Sequence, residues 1–180
     1  LNLPSKNKMV EPNFEMYWED EIPKISSNLN ENKNVQVEII TGDYLDFSSP
    51  IAPKNSWANN KKNDVAVWII RLDRNGNFAI PDTKSGAKRN LYVLKGSNME
   101  IDGQSISGGS MVTLDSSKNT VIKNLGSKTK ILMLQGVPIN EPVVKYGPFV
   151  MNTRSEIEQA FYDYNRTCLL YTSDAADDIR

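Results

Sequence analysis

The 180-residue sequence has no histidine and one cysteine, Cys168. The first absence removes the commonest general base, any Ser/His/Asp triad and every imidazole ligand for a metal. The second leaves no partner for an intrachain disulfide, so cysteine usage does not place the chain in a redox compartment. No apolar run approaches the roughly 20 residues that a membrane-spanning helix requires. There is no phosphate-cradling loop, because GQSISGG at residues 103–109 lacks the Lys-Ser/Thr of a P-loop and no helical pattern follows it. Charge of one sign is not concentrated either: 21 Lys and Arg face 22 Asp and Glu, with no basic stripe interleaved with aromatics of the kind that tracks nucleic acid. What remains is 39% hydrophobic and 24% charged, a globular composition with room for one core of ordinary size.

Residues 5–34 are polar and Asn-rich, with Pro12 and Pro23, and read as a linker running over a surface. Phe14, Met16, Tyr17 and Trp18 are too apolar for a free linker, so Trp18 or its neighbours are expected to pin it down. VQVEII at 35–40 alternates and then turns at Thr41-Gly42-Asp43, which marks a first strand. A long loop rich in Ser, Pro, Asn and Lys follows over 47–63. From Asp64 the chain is a succession of short strands: AVWIIRL at 66–72 with a turn at 73–76, then 91–94, and 99–101 leading into the hairpin signal Asp102-Gly103. Further strands are expected at 110–114, 120–123 and 130–134. Short strands at intervals of about 8 to 12 residues with Gly or Asn turns predict an all-β fold, an antiparallel sandwich or barrel.

The pattern changes in EPVVKYGPFVMNTRSEIEQAFYDYN, residues 141–165. Pro142, Gly147 and Pro148 deny this arm a regular ladder, so Val143, Val144, Tyr146, Phe149 and Val150 are expected to find burial by lying across another surface. Thr153 and Glu156 then fit a capping box, and Ile157, Ala160, Phe161 and Tyr164 fall on one stripe of a C-terminal α-helix.

EPVVKYGPFVMNT followed by EIEQA resembles the C-terminal signature of the pirin family. LNLP at the start, Lys8-Met9-Val10-Glu11-Pro12 and Glu21-Ile22-Pro23 resemble the passage between the two pirin domains. The likeness covers about residues 1–167. It implies a bicupin protein of which this chain holds the second half, with a cupin-type double-stranded β-helix. Residues 1–34 would then be an interdomain strand remnant and linker, 35–140 the C-terminal cupin domain, and 141–167 the arm and helix, the last packing back on the partner domain. CLLYTSDAADD at 168–178 has no counterpart in pirins and resembles a translated sequencing-library adapter, so 168–180 is set aside as a non-native tail. Without it the chain is close to neutral and lacks cysteine.

Cupins hold a metal on two spaced motifs. The first, laid on this chain, lands on Gly76, Asp82, Lys84, Arg89 and Gly96; the second lands on Gly109, Asp115, Ser117, Thr120 and Asn124. The turn positions Gly76, Gly96, Gly109 and Asn124 agree with the family pattern. The ligand positions hold Asp82, Lys84, Arg89 and Thr120 in place of His, His, Glu and His. An ammonium or a guanidinium offers no lone pair to a cation, so no metal, cofactor or catalytic residue is expected in this chain. Asp82, Lys84 and Arg89 read as incidental charge on an exposed loop; a sharper reading makes them an anion-friendly mouth in which Arg89 suits a carboxylate. Trp57 reads as loop cover and Trp68 as core, although a ligand pocket could be lined from Trp68, Tyr92, Met111 and Met133.

The resemblance further implies an iron-type metal held by three His and a Glu in an N-terminal cupin outside this chain, with quercetin 2,3-dioxygenase activity in some members and transcription-cofactor roles in others. The expectation is a non-catalytic second cupin that completes and covers that metal-bearing domain. The alternatives are part of a quercetin 2,3-dioxygenase-like enzyme, or a redox-sensing regulator that recruits a protein. The expected partners are the chain's own N-terminal cupin and a further protein, with no direct contact to nucleic acid or membrane, in the cytoplasm.

Overall fold

The structure, a computed structural model, describes residues 2–26, 34–83 and 85–167. Lys84 and the 168–180 tail lie outside these residues, and so do the expectations resting on them. The chain forms two compact units, residues 12–138 on the one hand and residues 2–11 with 139–167 on the other.

In the larger unit β1 (Lys24–Ser26), β2 (Val35–Thr41), β3 (Asp43–Tyr44) and β4 (Phe47–Ser48) precede two short 3₁₀ turns over 57–63. Then come β5 (Ala66–Leu72), β6 (Asn77–Ile80), β7 (Lys88–Lys95), β8 (Met99–Ile101), β9 (Gln104–Ile106), β10 (Met111–Leu114), β11 (Thr120–Asn124) and β12 (Thr129–Gly136). One sheet has the order β1-β2-β5-β12-β7-β10 and the other β6-β11-β8-β9. Every pairing is antiparallel. This is the all-β sandwich expected from the strand spacing. Lys24–Ser26, inside the stretch read as linker, adds an edge strand through Ile25 opposite Val37.

Alternation decides what lies between the sheets. Ala66, Trp68, Ile70 and Leu72 of β5 turn inward, with Ile131 and Met133 of β12, Leu91 and Val93 of β7, and Phe78, Ile80, Met99, Ile101 and Ile122 of the facing sheet. Each Val, Leu, Ile, Met or Phe among them contributes roughly 1.5–3 kcal/mol of transfer free energy. Trp68 is core, as read from the sequence, and Tyr44 lies edge-on to it at 5.1 Å between ring centroids. Trp57 covers the loop after β12, its Nε1 donating to the Val137 carbonyl. Trp18, expected to pin the N-terminal segment, is 68% exposed; in that segment it is the Tyr17 hydroxyl that donates to the Ile51 carbonyl.

The motif turn positions carry the backbone loads expected of them. Gly96 has φ +143° and faces Thr129, and Gly109 has φ +77°. Asn124 is fully buried; its Nδ2 lies 2.7–3.0 Å from the carbonyls of Leu72, Asp73 and Ser127, while its Oδ1 accepts from Gly126 N–H and the Thr129 hydroxyl.

In the smaller unit α1 (Ser5–Lys8) is one turn long, and β13 (Val144–Tyr146) pairs with β14 (Phe149–Met151) ahead of α2 (Arg154–Thr167). The arm, read as unable to form a ladder, is therefore a hairpin. Two of its three breakers are its turn: Gly147 has φ +56° and Pro148 follows it, so they join the strands instead of disrupting them, and Pro142 falls before β13. The capping box is present, with Glu156 N–H on Thr153 Oγ1 at 3.3 Å and Thr153 N–H on Glu156 Oε2 at 2.7 Å. Ile157 and Ala160 are buried, and Phe161 packs edge-on against Tyr146 and Phe149.

Candidate functional site

Arg89 is not an exposed loop charge. It lies in β7 in register with Gln135 of β12 and Leu114 of β10, and the alternation that buries Leu91 and Val93 buries Arg89 with them, to 2% exposure. Its Nε donates to Gln135 Oε1 at 2.6 Å, and Gln135 Nε2 donates to Asp64 Oδ1 at 2.9 Å. The hydroxyls of Thr83 and Ser85 each donate to Asp64 Oδ2 at 2.5 Å. Asp64 ends the second 3₁₀ turn, two residues before β5, in a left-handed conformation with φ 46°. A buried guanidinium is thus linked through one amide to a carboxylate that two hydroxyls saturate. Burial pulls the Arg89 pKa down, and the Asp64 and Asp82 charges push it back up. Arg89 Nη1 is buried without an acceptor, and so is Trp68 Nε1.

The other motif positions do not join this chain of bonds. Asp82 is exposed and meets the facing sheet's 118–120 turn by its backbone, the N–H donating to Asn119 Oδ1 at 2.8 Å. Thr120 is buried opposite Ile80 in the second sheet. Asp115 caps its own turn, where the Ser117 hydroxyl and Lys118 hold its carboxyl at about 2. Among the described residues no three His, Cys, Asp or Glu side chains come together. A guanidinium aimed inward, a threonine hydroxyl and one outlying carboxylate do not fit a divalent transition metal, since the cation would be repelled and offered one anionic oxygen at most.

The position of Arg89 was open to the sequence through the alternation Arg89-Leu91-Val93. Gln135 likewise continues Ile131-Met133. Asp64, Thr83 and Ser85 carry no such signal, because loop residues have no period. The pocket sketched from Trp68, Tyr92, Met111 and Met133 does not exist as one lining. Trp68 pairs with Met133 on the inner face, whereas Tyr92 pairs with Met111 on the outer one.

Comparison with known proteins agrees with this architecture. Residues 67–169 match the pirin C-terminal cupin domain. A pirin-like protein of Solanum lycopersicum is 30% identical over 167 residues, which take in 91% of this chain and 53% of that protein. Human pirin is 29% identical over 168 residues, with the same shares. The crystal structure of a quercetin 2,3-dioxygenase from Acinetobacter baumannii superposes with a TM-score of 0.77 at 27% identity, covering 92% of this chain and 54% of that one. The chain spans about half the length of the curated relatives it matches. The family's own domain signature across residues 67–169, on a fold that superposes over that half, makes this chain a member of the pirin C-terminal cupin domain family.

Proposed function

We propose that this domain is the non-catalytic half of a pirin-like bicupin, and that it completes and covers a metal-bearing cupin. The observation that carries the reading is the outer face of the six-stranded sheet. β5 and β12 are apolar on both faces, the pattern of strands covered on both sides rather than of strands facing water. Val67 pairs with Leu134, and Ile69 with Leu132, which is in turn opposite Tyr92. These outer side chains are only half-buried, and Met111 beside Tyr92 is 59% exposed. Leu94 on the same strand is 56% exposed. A contiguous apolar sheet face of this kind suits a second domain layered on it.

The test is the behaviour of the 180-residue chain by itself. It is expected to bind a hydrophobic dye and to self-associate, with Leu132→Lys reducing both while leaving the far-ultraviolet circular dichroism unchanged. A dye-silent monomer that melts cooperatively would overturn the reading. The likeness to a quercetin 2,3-dioxygenase favours one variant of it, in which the intact protein is such an enzyme. An iron-type metal in the other cupin would supply the oxygen chemistry, and this half would give shape and shielding. Quercetin consumption by the complete gene product, lost on substitution of His residues outside this chain, is the expected result; a metal-loaded protein without turnover would favour a regulator that recruits a protein.

A further inference from the structure

We infer a second site, for a small phosphate-bearing anion, at the end of the six-stranded sheet remote from Asp64. The strand register there places Gln36 opposite Arg71, Arg71 opposite Lys130, and Lys130 opposite Lys95, a row across β2, β5, β12 and β7. A cavity of about 330 Å³ opens at this row, and Lys128 and Asp73 also line it. Like charges directly opposite one another on neighbouring strands cost stability, and here three cations follow in sequence. Two of the four local cations have a carboxylate. Arg71 Nη1 lies 2.5 Å from Glu38 Oε1, as an ion pair without hydrogen-bond alignment, and Lys128 Nζ is 3.3 Å from Asp73 Oδ1. Among the described residues neither Lys95 nor Lys130 forms an ion pair.

A β-bulge between Lys130 and Ile131 shifts the register at this place, which is what sets Lys95 beside Lys130. Two ammonium groups without an ion pair among the described residues, and a guanidinium whose Nη1 makes no hydrogen bond, suit an anion that carries more than one charge and several acceptor oxygens. A phosphate meets both needs, taking point charges from lysine and a fork from arginine. The cavity is larger than one phosphate, so a phosphomonoester or a pyrophosphate fits the volume better than a simple inorganic anion. A monocarboxylate would leave one ammonium unmatched. The site lies wholly within residues 12–138 and does not rest on the partner-domain reading.

The experiment is calorimetric titration of the 180-residue chain with pyrophosphate, inorganic phosphate and acetate at low ionic strength, alongside thermal melts. Saturable one-to-one binding of pyrophosphate, weaker binding of phosphate and none of acetate are expected, with a melting temperature that rises with ligand concentration. Lys95→Gln/Lys130→Gln is expected to weaken pyrophosphate by about tenfold or more and, by relieving the like-charge row, to melt no lower than the parent without ligand. Lys61→Gln/Lys62→Gln, in a distant loop, should bind as the parent does. Absence of saturation, or an equal loss in both double variants, would overturn the site and show diffuse charge attraction only.

Discussion

Removing the amide that joins Arg89 to Asp64 is the perturbation with the largest calculable effect. Gln135→Leu conserves most of the volume but deletes the acceptor 2.6 Å from Arg89 Nε and the donor 2.9 Å from Asp64 Oδ1. Hydrogen bonds to charged groups are worth about 1.5–3 kcal/mol each. The variant also leaves a 2%-exposed guanidinium with neither Nε nor Nη1 paired, and half of a broken buried charge network costs about 3–5 kcal/mol. For a domain of this size that loss moves the urea midpoint down by roughly 2 M. Asp64 keeps the Thr83 and Ser85 hydroxyls, so the damage falls on the arginine. Replacing the stranded charge as well, in Arg89→Met/Gln135→Leu, is therefore expected to recover stability to within about 1–2 kcal/mol of the parent, since an apolar replacement of a buried charged set is often close to neutral. Urea unfolding followed by tryptophan fluorescence reads both, Trp68 being in the core. A single variant within about 0.5 kcal/mol of the parent, or a double variant no better than the single, would refute the reasoning.

Asn124→Asp replaces an amide whose two N–H donors lie among three carbonyls, and whose oxygen accepts twice, with a carboxylate that cannot donate; a loss of about 2–4 kcal/mol is expected in chemical denaturation, larger than for Asn119→Asp on the surface. Glu156 accepts from the N–H groups of Thr153 and Asn152, which hold its carboxyl below the ordinary value of 4.5. A depressed folded pKa means that the cap's contribution is present above the ordinary value and is lost as pH falls through the folded one. Amide exchange at Asn152 and Thr153 should thus accelerate on acidification below about pH 4.5, beyond its intrinsic pH dependence, and Glu156→Gln should abolish that extra change. Glu141, lowered by the Ser5 N–H, loosens in the same direction. Gly147→Ala places a Cβ 3.2 Å from Phe161 Cζ at φ +56°, and a loss of about 1–2 kcal/mol is expected in the melt of the hairpin and helix, with Gly147→Asn losing less.

Strand β5 and strand β8 are legible in the sequence to the residue, because AVWIIRL and MEI are bounded by turn chemistry and filled with residues that suit a pleated sheet. The capping box and the apolar stripe of α2 are legible for the same reason, each being a local rule that the folded state does not overrule. The β13–β14 hairpin is hidden because Gly147 and Pro148 are breakers by type, while a two-residue turn needs such residues between its strands, and Pro142 lies ahead of β13 where it interrupts nothing. β6 is four residues long and its partner β11 is some forty residues on, a pairing no local rule announces, whereas β9 is the short second arm of the hairpin that Asp102-Gly103 does signal. At the candidate site, residue type leads to a reading of Arg89 as surface charge, which does not follow the alternation Arg89-Leu91-Val93 back to it. The strand period holds at Arg89 because Gln135 and Asp64 supply the polar surroundings that make an inward arginine tolerable.

The cupin metal position of this domain holds a buried cation, Arg89, and the proposed function accordingly puts any metal chemistry outside this chain. The most direct test of that claim is elemental analysis of the 180-residue chain after anaerobic loading with ferrous iron and desalting. Iron far below one atom per chain, unchanged by Asp82→Asn and by Arg89→Met, is the expected result. Near-stoichiometric iron that disappears on Asp82→Asn would contradict the claim and return the redox chemistry to this barrel.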